Sequence, residues 1–104
     1  MKYEITLRAK TTIRPGELYD HIAAAELAGV SVRRLLHYWR YAIIQPIRNT
    51  GRYGIFFDDG AIYTLRKAEC LRREMRLNYS GIRVVLLLED RIAGLDAEVR
   101  FLRK

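Results

Sequence analysis

Three residues, Gly29-Val30-Ser31, constrain this chain more than any other feature. They separate a pair of stretches of helical composition that are each too short to stand alone, so both must pack against something. Glycine reaches the left-handed backbone that ends a helix, and a serine hydroxyl accepts from the first free amides of the next one. The first stretch runs from about Leu18 to Ala28, with Leu18, Ile22 and Ala25 on its buried side. The second runs from Ser31 to about Tyr41, with Val30, Leu35 and Tyr38 turned inward and Ser31, Val32, Arg33, Arg34 and His37 outward. Helix, short glycine-bearing turn, helix is the helix-turn-helix pattern.

The flanks extend that pattern. Tyr3, Ile5 and Leu7 alternate with Glu4, Thr6 and Arg8, which predicts a strand over residues 3–8. After the second helix, Ile43, Ile44, Pro46 and Ile47 read as extended, because Pro46 cannot continue a helix. Asn49-Thr50-Gly51 supplies a turn and Tyr53 to Phe57 a returning strand, together a β-hairpin. Asp58 or Asp59 caps a third helix from about Gly60 to Arg76, with Ile62, Leu65, Leu71 and Met75 along one stripe. Asn78-Tyr79 breaks it, and Ser80 caps a last helix that reaches almost to Lys104. The expected fold is mainly α: a winged helix-turn-helix over residues 1–79, with an N-terminal strand and a small hairpin wing, then a C-terminal helix over 80–104.

That last helix carries the cleanest periodicity. Val85, Leu88, Ile92, Leu95, Val99 and Leu102 recur at alternating steps of three and four, flanked by Glu89, Arg91, Asp96, Glu98 and Arg103. β-Branched residues at one seam position and Leu at the other make a heptad suited to a coiled-coil homodimer, and taken alone the pattern favours parallel chains. The seam is under three heptads long, so it outruns the core of so small a domain without making a self-standing coiled coil.

Charge adds a functional clue. Nineteen Lys and Arg, most of them Arg, stand against twelve Asp and Glu, for a net charge of +7. Such a balance points to an anionic partner, nucleic acid first, and Arg suits two-point recognition of phosphate and base edges. The densest basic cluster is Arg66, Lys67, Arg72, Arg73 and Arg76. His21 and His37 have no Cys, Asp or Glu at ligand spacing, Cys70 is alone, and no nucleophile–base pair or phosphate-cradling glycine loop occurs. No metal, no cofactor and no catalysis are expected. The most apolar run, Val84 to Leu88, is far too short for a membrane span, and the N-terminus does not resemble a signal peptide, so the expected location is the cytoplasm.

Between Ala25 and Phe56 these features resemble a family. Ala25-x-Leu27-x-Gly29-Val30-Ser31-x-Arg33-x-Leu35, then Tyr38-x-Arg40, Ile43-Ile44-x-Pro46-x-Arg48 and Gly51, are similar to the DNA-binding domain of MerR-type regulators. Two departures stand out: Leu36-His37-Tyr38 replaces the usual Arg-Tyr-Tyr, and Gly51-Arg52-Tyr53 inverts the usual Gly-Tyr-Arg. The run from Leu71 to Ile82 and the heptad helix narrow the resemblance to a short branch holding heat-shock repressors (HspR-type) and chaperone modulators (CbpM-type). The first kind implies operator DNA. The second implies a DnaJ-like co-chaperone, bound through its J-domain with no role for DNA. The family pairs its dimer helices antiparallel, so orientation stays open here.

A winged helix-turn-helix sets its second helix in the major groove. The residues expected to meet double-stranded DNA are therefore Ser31, Arg33, Arg34 and His37 on that helix. Tyr38 and Arg40 are expected to clamp the backbone, as the resemblance implies for Tyr38, and Arg48, Arg52 and Tyr53 belong to the wing. Trp39 is expected to pack on the wing or a partner. A J-domain presents a basic helix, so the basic cluster on the third helix tips this reading toward DNA. Ile92→Glu or Leu95→Glu would bury a charge in the dimer seam and is expected to yield monomers by sedimentation; an unchanged dimer mass would refute the heptad assignment.

Overall fold

The computed structural model describes residues 14, 16–51 and 54–103. The strand expected over 3–8, and Arg52 and Tyr53 of the wing, lie outside them. Within them the order is β1 (Tyr19–Asp20), α1 (His21–Ala28), α2 (Val32–Arg40), β2 (Arg48–Asn49), β3 (Ile55–Phe57), α3 (Asp59–Met75) and α4 (Tyr79–Leu102). The fold is mainly helical, with one small antiparallel sheet in the order β1-β3-β2. Arg48 and Asn49 face Phe56 and Ile55, while Tyr19 and Asp20 face Phe57 and Phe56.

The helix starts follow side-chain capping. Asp20 accepts from the Ala23 amide at 2.7 Å, Ser31 from Arg34 at 3.0 Å, Asp58 from Ala61 at 3.0 Å and Asn78 from Gly81 at 2.8 Å. Two of these correct the sequence reading. The first helix begins at His21, not Leu18, because Tyr19 pairs with Phe57 and buries its ring, leaving Leu18 and Ile22 exposed. The last helix is capped by Asn78, so Tyr79 and Ser80 are already helical. The Ile43–Ile47 piece also shifts. Ile44 plugs into the core, and pairing starts with the Ile47 amide on the Phe56 carbonyl (2.9 Å), beyond Pro46, which has no N–H to give a ladder.

One core joins all four helices and the sheet. Leu35, Tyr38, Phe57, Ile62, Leu65, Ala68 and Ile82 are fully buried, with Ala24, Ala25, Leu27 and Ile44 around them. Val32 packs against this core instead of facing out. On α3 the buried face is Ala61, Ile62, Leu65, Ala68 and Glu69, so the expected stripe was rotated: Leu71 is only half-buried and Met75 is exposed. Arg66 spans from α3 to the end of α1, donating through Nε and Nη2 to the Leu27 carbonyl at 3.1 and 2.9 Å. Trp39 meets Phe57 of the hairpin edge-on, with centroids 6.4 Å apart.

Among the described residues, helix α4 touches this body only through its first three turns, where Ile82 is buried, Tyr79 and Leu86 pack against the core and Glu89 pairs with Lys67. From Asp90 onward every described residue is exposed. Leu88, Ile92, Leu95, Val99 and Leu102 lie between 45% and 75% open, and Val85 is half-buried. Among the described residues no helix is long and apolar enough to cross a membrane.

Two helix ends are closed in the same way by different residues. After α1, Gly29 (φ 73°) donates to the Glu26 carbonyl and Val30 to that of Ala25. After α2, Ala42 (φ 61°) donates to Trp39 and Ile43 to Tyr38. The second closure holds an alanine where the left-handed backbone favours glycine. Ala42→Gly is therefore expected to raise stability by about 0.5–1 kcal/mol and Gly29→Ala to lower it by about 1 kcal/mol, read as urea midpoints at constant slope. A loss of stability in Ala42→Gly would contradict the closure.

Candidate nucleic-acid interface

Helical periodicity divides α2 into an inner and an outer face. Leu35 and Tyr38 point into the core, and Arg33, Leu36 and Arg40 are exposed with His37 half-buried beside them. Arg33 and Arg40 are two turns apart on the outer face, about 10 Å along the axis. Trp39 and the hairpin flank one side of this face, and Tyr79 of α4 flanks the other. The Tyr79 ring meets His37 and Tyr38 edge-on at 5.5 and 5.2 Å and stacks on Tyr41 at 5.0 Å, while its hydroxyl lies 3.3 Å from His37 Nδ1. A crevice of about 240 Å³ brings Ser31, Arg33, Arg34, His37 and Tyr79 together. A second crevice joins Arg40 and Tyr41 to Ser80 and Arg83. Arg48 is exposed on β2, and among the described residues Arg33, Arg40 and Arg48 have no carboxylate partner.

The inner face of α2 is held by a single carboxylate. Glu69 of α3, only 5% exposed, accepts the Tyr38 hydroxyl on Oε1 at 2.9 Å and Arg34 Nη1 on Oε2 at 3.1 Å. Arg72 grips both oxygens, Nε to Oε1 at 3.1 Å and Nη2 to Oε2 at 2.9 Å, and Arg73 Nε lies 3.3 Å from Oε2. The Arg72 fork holds the Glu69 carboxyl down to about 2 although burial pushes it up, with the Tyr38 hydroxyl and Arg34 assisting. Burial, then the bond to Glu69, raises the Tyr38 phenol above its ordinary value.

This network engages two of the residues expected at DNA. Tyr38 is fully buried and its hydroxyl is committed to Glu69, so in this state it is not presented to a phosphate. Arg34 turns to the same carboxylate instead of facing out. Ser31 spends its hydroxyl oxygen on the Arg34 amide. Most of the basic cluster of α3 is also engaged: Arg66 is on a carbonyl, Lys67 pairs with Glu89, and Arg72 and Arg73 surround Glu69, which leaves Arg76 exposed. So occupied, the cluster no longer favours DNA over a J-domain. Glu69 itself was missed, although it stands seven residues after Ile62 and four after Leu65, a charged residue on an apolar stripe with Arg at the next two turn positions.

A helix-turn-helix followed by a β-hairpin, with a cationic outer face on the second helix, defines a winged helix-turn-helix regulator. A family model described as "MerR HTH family regulatory protein" matches residues 23–104, and the chain belongs to that family. It is similar to heat shock protein HspR of Streptomyces coelicolor, 32% identical over 80 residues, which are 77% of this chain and 52% of that protein. It is also similar to chaperone modulatory protein CbpM of Escherichia coli, 36% identical over 76 residues, 73% of this chain and 74% of that one. The chain thus spans about half the length of the first relative and about three-quarters of the second.

Because the folded-state pKa of Glu69 lies below its unfolded value, its contribution is fully present above about pH 4.5 and is lost as pH falls through about 2. Glu69→Gln is expected to cost on the order of 2–3 kcal/mol at neutral pH, and the gap to the parent should close over that acid window in urea melts. An equal gap at both ends of the window would contradict the network's ionic character.

Proposed function

We propose that this chain is a dimeric, cytoplasmic DNA-binding regulator of the MerR type, linked to chaperone control. The observation that carries the reading is the outward line of Arg33 and Arg40 on α2, with the exposed Arg48 of the hairpin, all without carboxylate partners among the described residues. Arg33 reads a base edge or holds a phosphate at the groove, His37 and Ser31 border it, and Arg40 and Arg48, with Arg52 and Tyr53 by sequence, hold flanking phosphates. The exposed apolar seam of α4 supports pairing with a second copy, which sets two reading helices on a pseudo-palindromic site. The names of the relatives, one a heat shock protein and one a chaperone modulator, support the chaperone link.

A second reading has its own observations. Arg34 and Tyr38 are turned away from the groove-facing side, and Leu36 places an apolar residue in the middle of the outer face. A face with fewer free cations and an apolar centre suits a protein partner, here a DnaJ-like co-chaperone, and the mutual coverage with CbpM favours it.

Anisotropy titration of a labelled duplex separates the two. Neutralising about six phosphates per dimer predicts that log affinity falls with log salt at a slope of about −5. Arg33→Ala should erase sequence preference first, and Arg48→Ala should weaken all duplexes alike. Capture of a J-domain with no duplex retention at about 50 mM salt would end the DNA reading and leave the second.

A further inference from the structure

Three guanidinium groups, those of Arg34, Arg72 and Arg73, face the one carboxylate of Glu69, so the cluster holds two positive charges in excess. The ties are unequal. Arg72 takes both oxygens through two donors, and the Tyr38 hydroxyl adds a third bond, so Glu69 is satisfied without the Arg34 guanidinium. Arg34 contributes one bond, from Nη1 alone, and its Nε is buried with no hydrogen-bond partner. Its side chain is nevertheless one-third exposed and lines the crevice shared with Ser31, Arg33, His37 and Tyr79. A guanidinium with an unspent donor, in a cluster with surplus positive charge and beside an open cationic crevice, is poised to leave when an anion arrives.

We propose that Arg34 is a reserve cation, parked on Glu69 in the free protein and delivered to a phosphate group seated in the Arg33–His37–Tyr79 crevice. The proposal rests on the DNA reading for its physiological ligand, a backbone phosphate, and deepens it by assigning the second cation of that contact. Leaving Glu69 costs one single-point bond. Meeting a phosphate returns a two-point, charge-assisted pair and employs the idle Nε. Glu69 thereby acts as a gate: it masks Arg34 from weak anions and yields it to one already held by Arg33.

The test is a double-mutant cycle on the full chain with a labelled duplex, backed by inorganic phosphate as a probe. Arg34→Gln is expected to weaken duplex binding about tenfold and to make the salt slope shallower by about 0.9 per protomer, the signature of a lost phosphate contact. Glu69→Gln is expected to tighten duplex binding several-fold, and to do nothing to it in the Arg34→Gln background. An unchanged slope in Arg34→Gln, or an equal Glu69→Gln effect in both backgrounds, overturns the proposal. Should Glu69→Gln fail to fold, or the parent retain no duplex, phosphate titration of the isotope-labelled parent decides. Movement of the Arg34 Nε–Hε resonance together with that of Arg33 supports the reserve position, whereas movement of Arg33 alone overturns it. Absence of duplex retention with Arg34 movement sinks the DNA reading and keeps the site.

Discussion

The rest of the molecule depends on the buried carboxylate of Glu69. Helix α2 is nine residues long and could not hold itself in register unaided. Leu35 and Tyr38 supply its apolar anchors, but apolar contacts alone are tolerant of rotation. The Tyr38 hydroxyl, meeting this carboxylate from α3, fixes the rotation of α2 about its axis, and the Arg34 guanidinium adds a single-point tie. A buried charge of this kind is costly unless it is fully hydrogen-bonded, and Arg72 meets that condition by occupying both oxygens. Losing the Tyr38 bond, which a glutamine oxygen at position 69 would still accept, would let the helix turn, and with it Arg33 and Arg40.

That constraint decides which cations can work. A count of Arg residues suggests a chain bristling with free positive charge. In the structure, Arg66 ties α3 to the end of α1, Lys67 ties it to α4, and Arg72 and Arg73 are held on Glu69. Much of the basic charge on α3 is structural; beyond the outer line of α2 and the hairpin, the exposed cations without a carboxylate partner among the described residues are Arg76 and, along α4, Arg83, Arg91, Arg100 and Arg103. Tyr79 couples α2 to α4, since one ring touches His37, Tyr38 and Tyr41 at the point where the longest helix begins.

The turn was legible in the sequence because its chemistry is local. Gly29 and Ser31 need only their own neighbours to act, and Asp58 found its expected place for the same reason. The errors share a different cause. Leu18 and Ile22 look like helix core until Tyr19 is seen paired with Phe57, thirty-eight residues away. Met75 looks like stripe until the buried face is seen to run through Ala61, Ile62, Leu65, Ala68 and Glu69 and to stop there. Arg34 and Tyr38 look like groove contacts because nothing near them in sequence announces a carboxylate thirty-five or thirty-one residues on. Local capping can be read from neighbours; the destination of a long polar side chain is set by whichever distant helix packs against it.

On the reading proposed above, the outward half of α2 and the adjoining hairpin form the working surface, aimed by the hold on the inward half. The most direct measurement is backbone amide shift mapping of the full chain as a mixed-sequence duplex is added at low salt. Perturbation concentrated at residues 31–41 and 47–57, with the far half of α4 quiet, is the predicted result. Perturbation gathered instead on the groove of Tyr63, Lys67 and Leu87 between α3 and α4, with α2 silent, would contradict it.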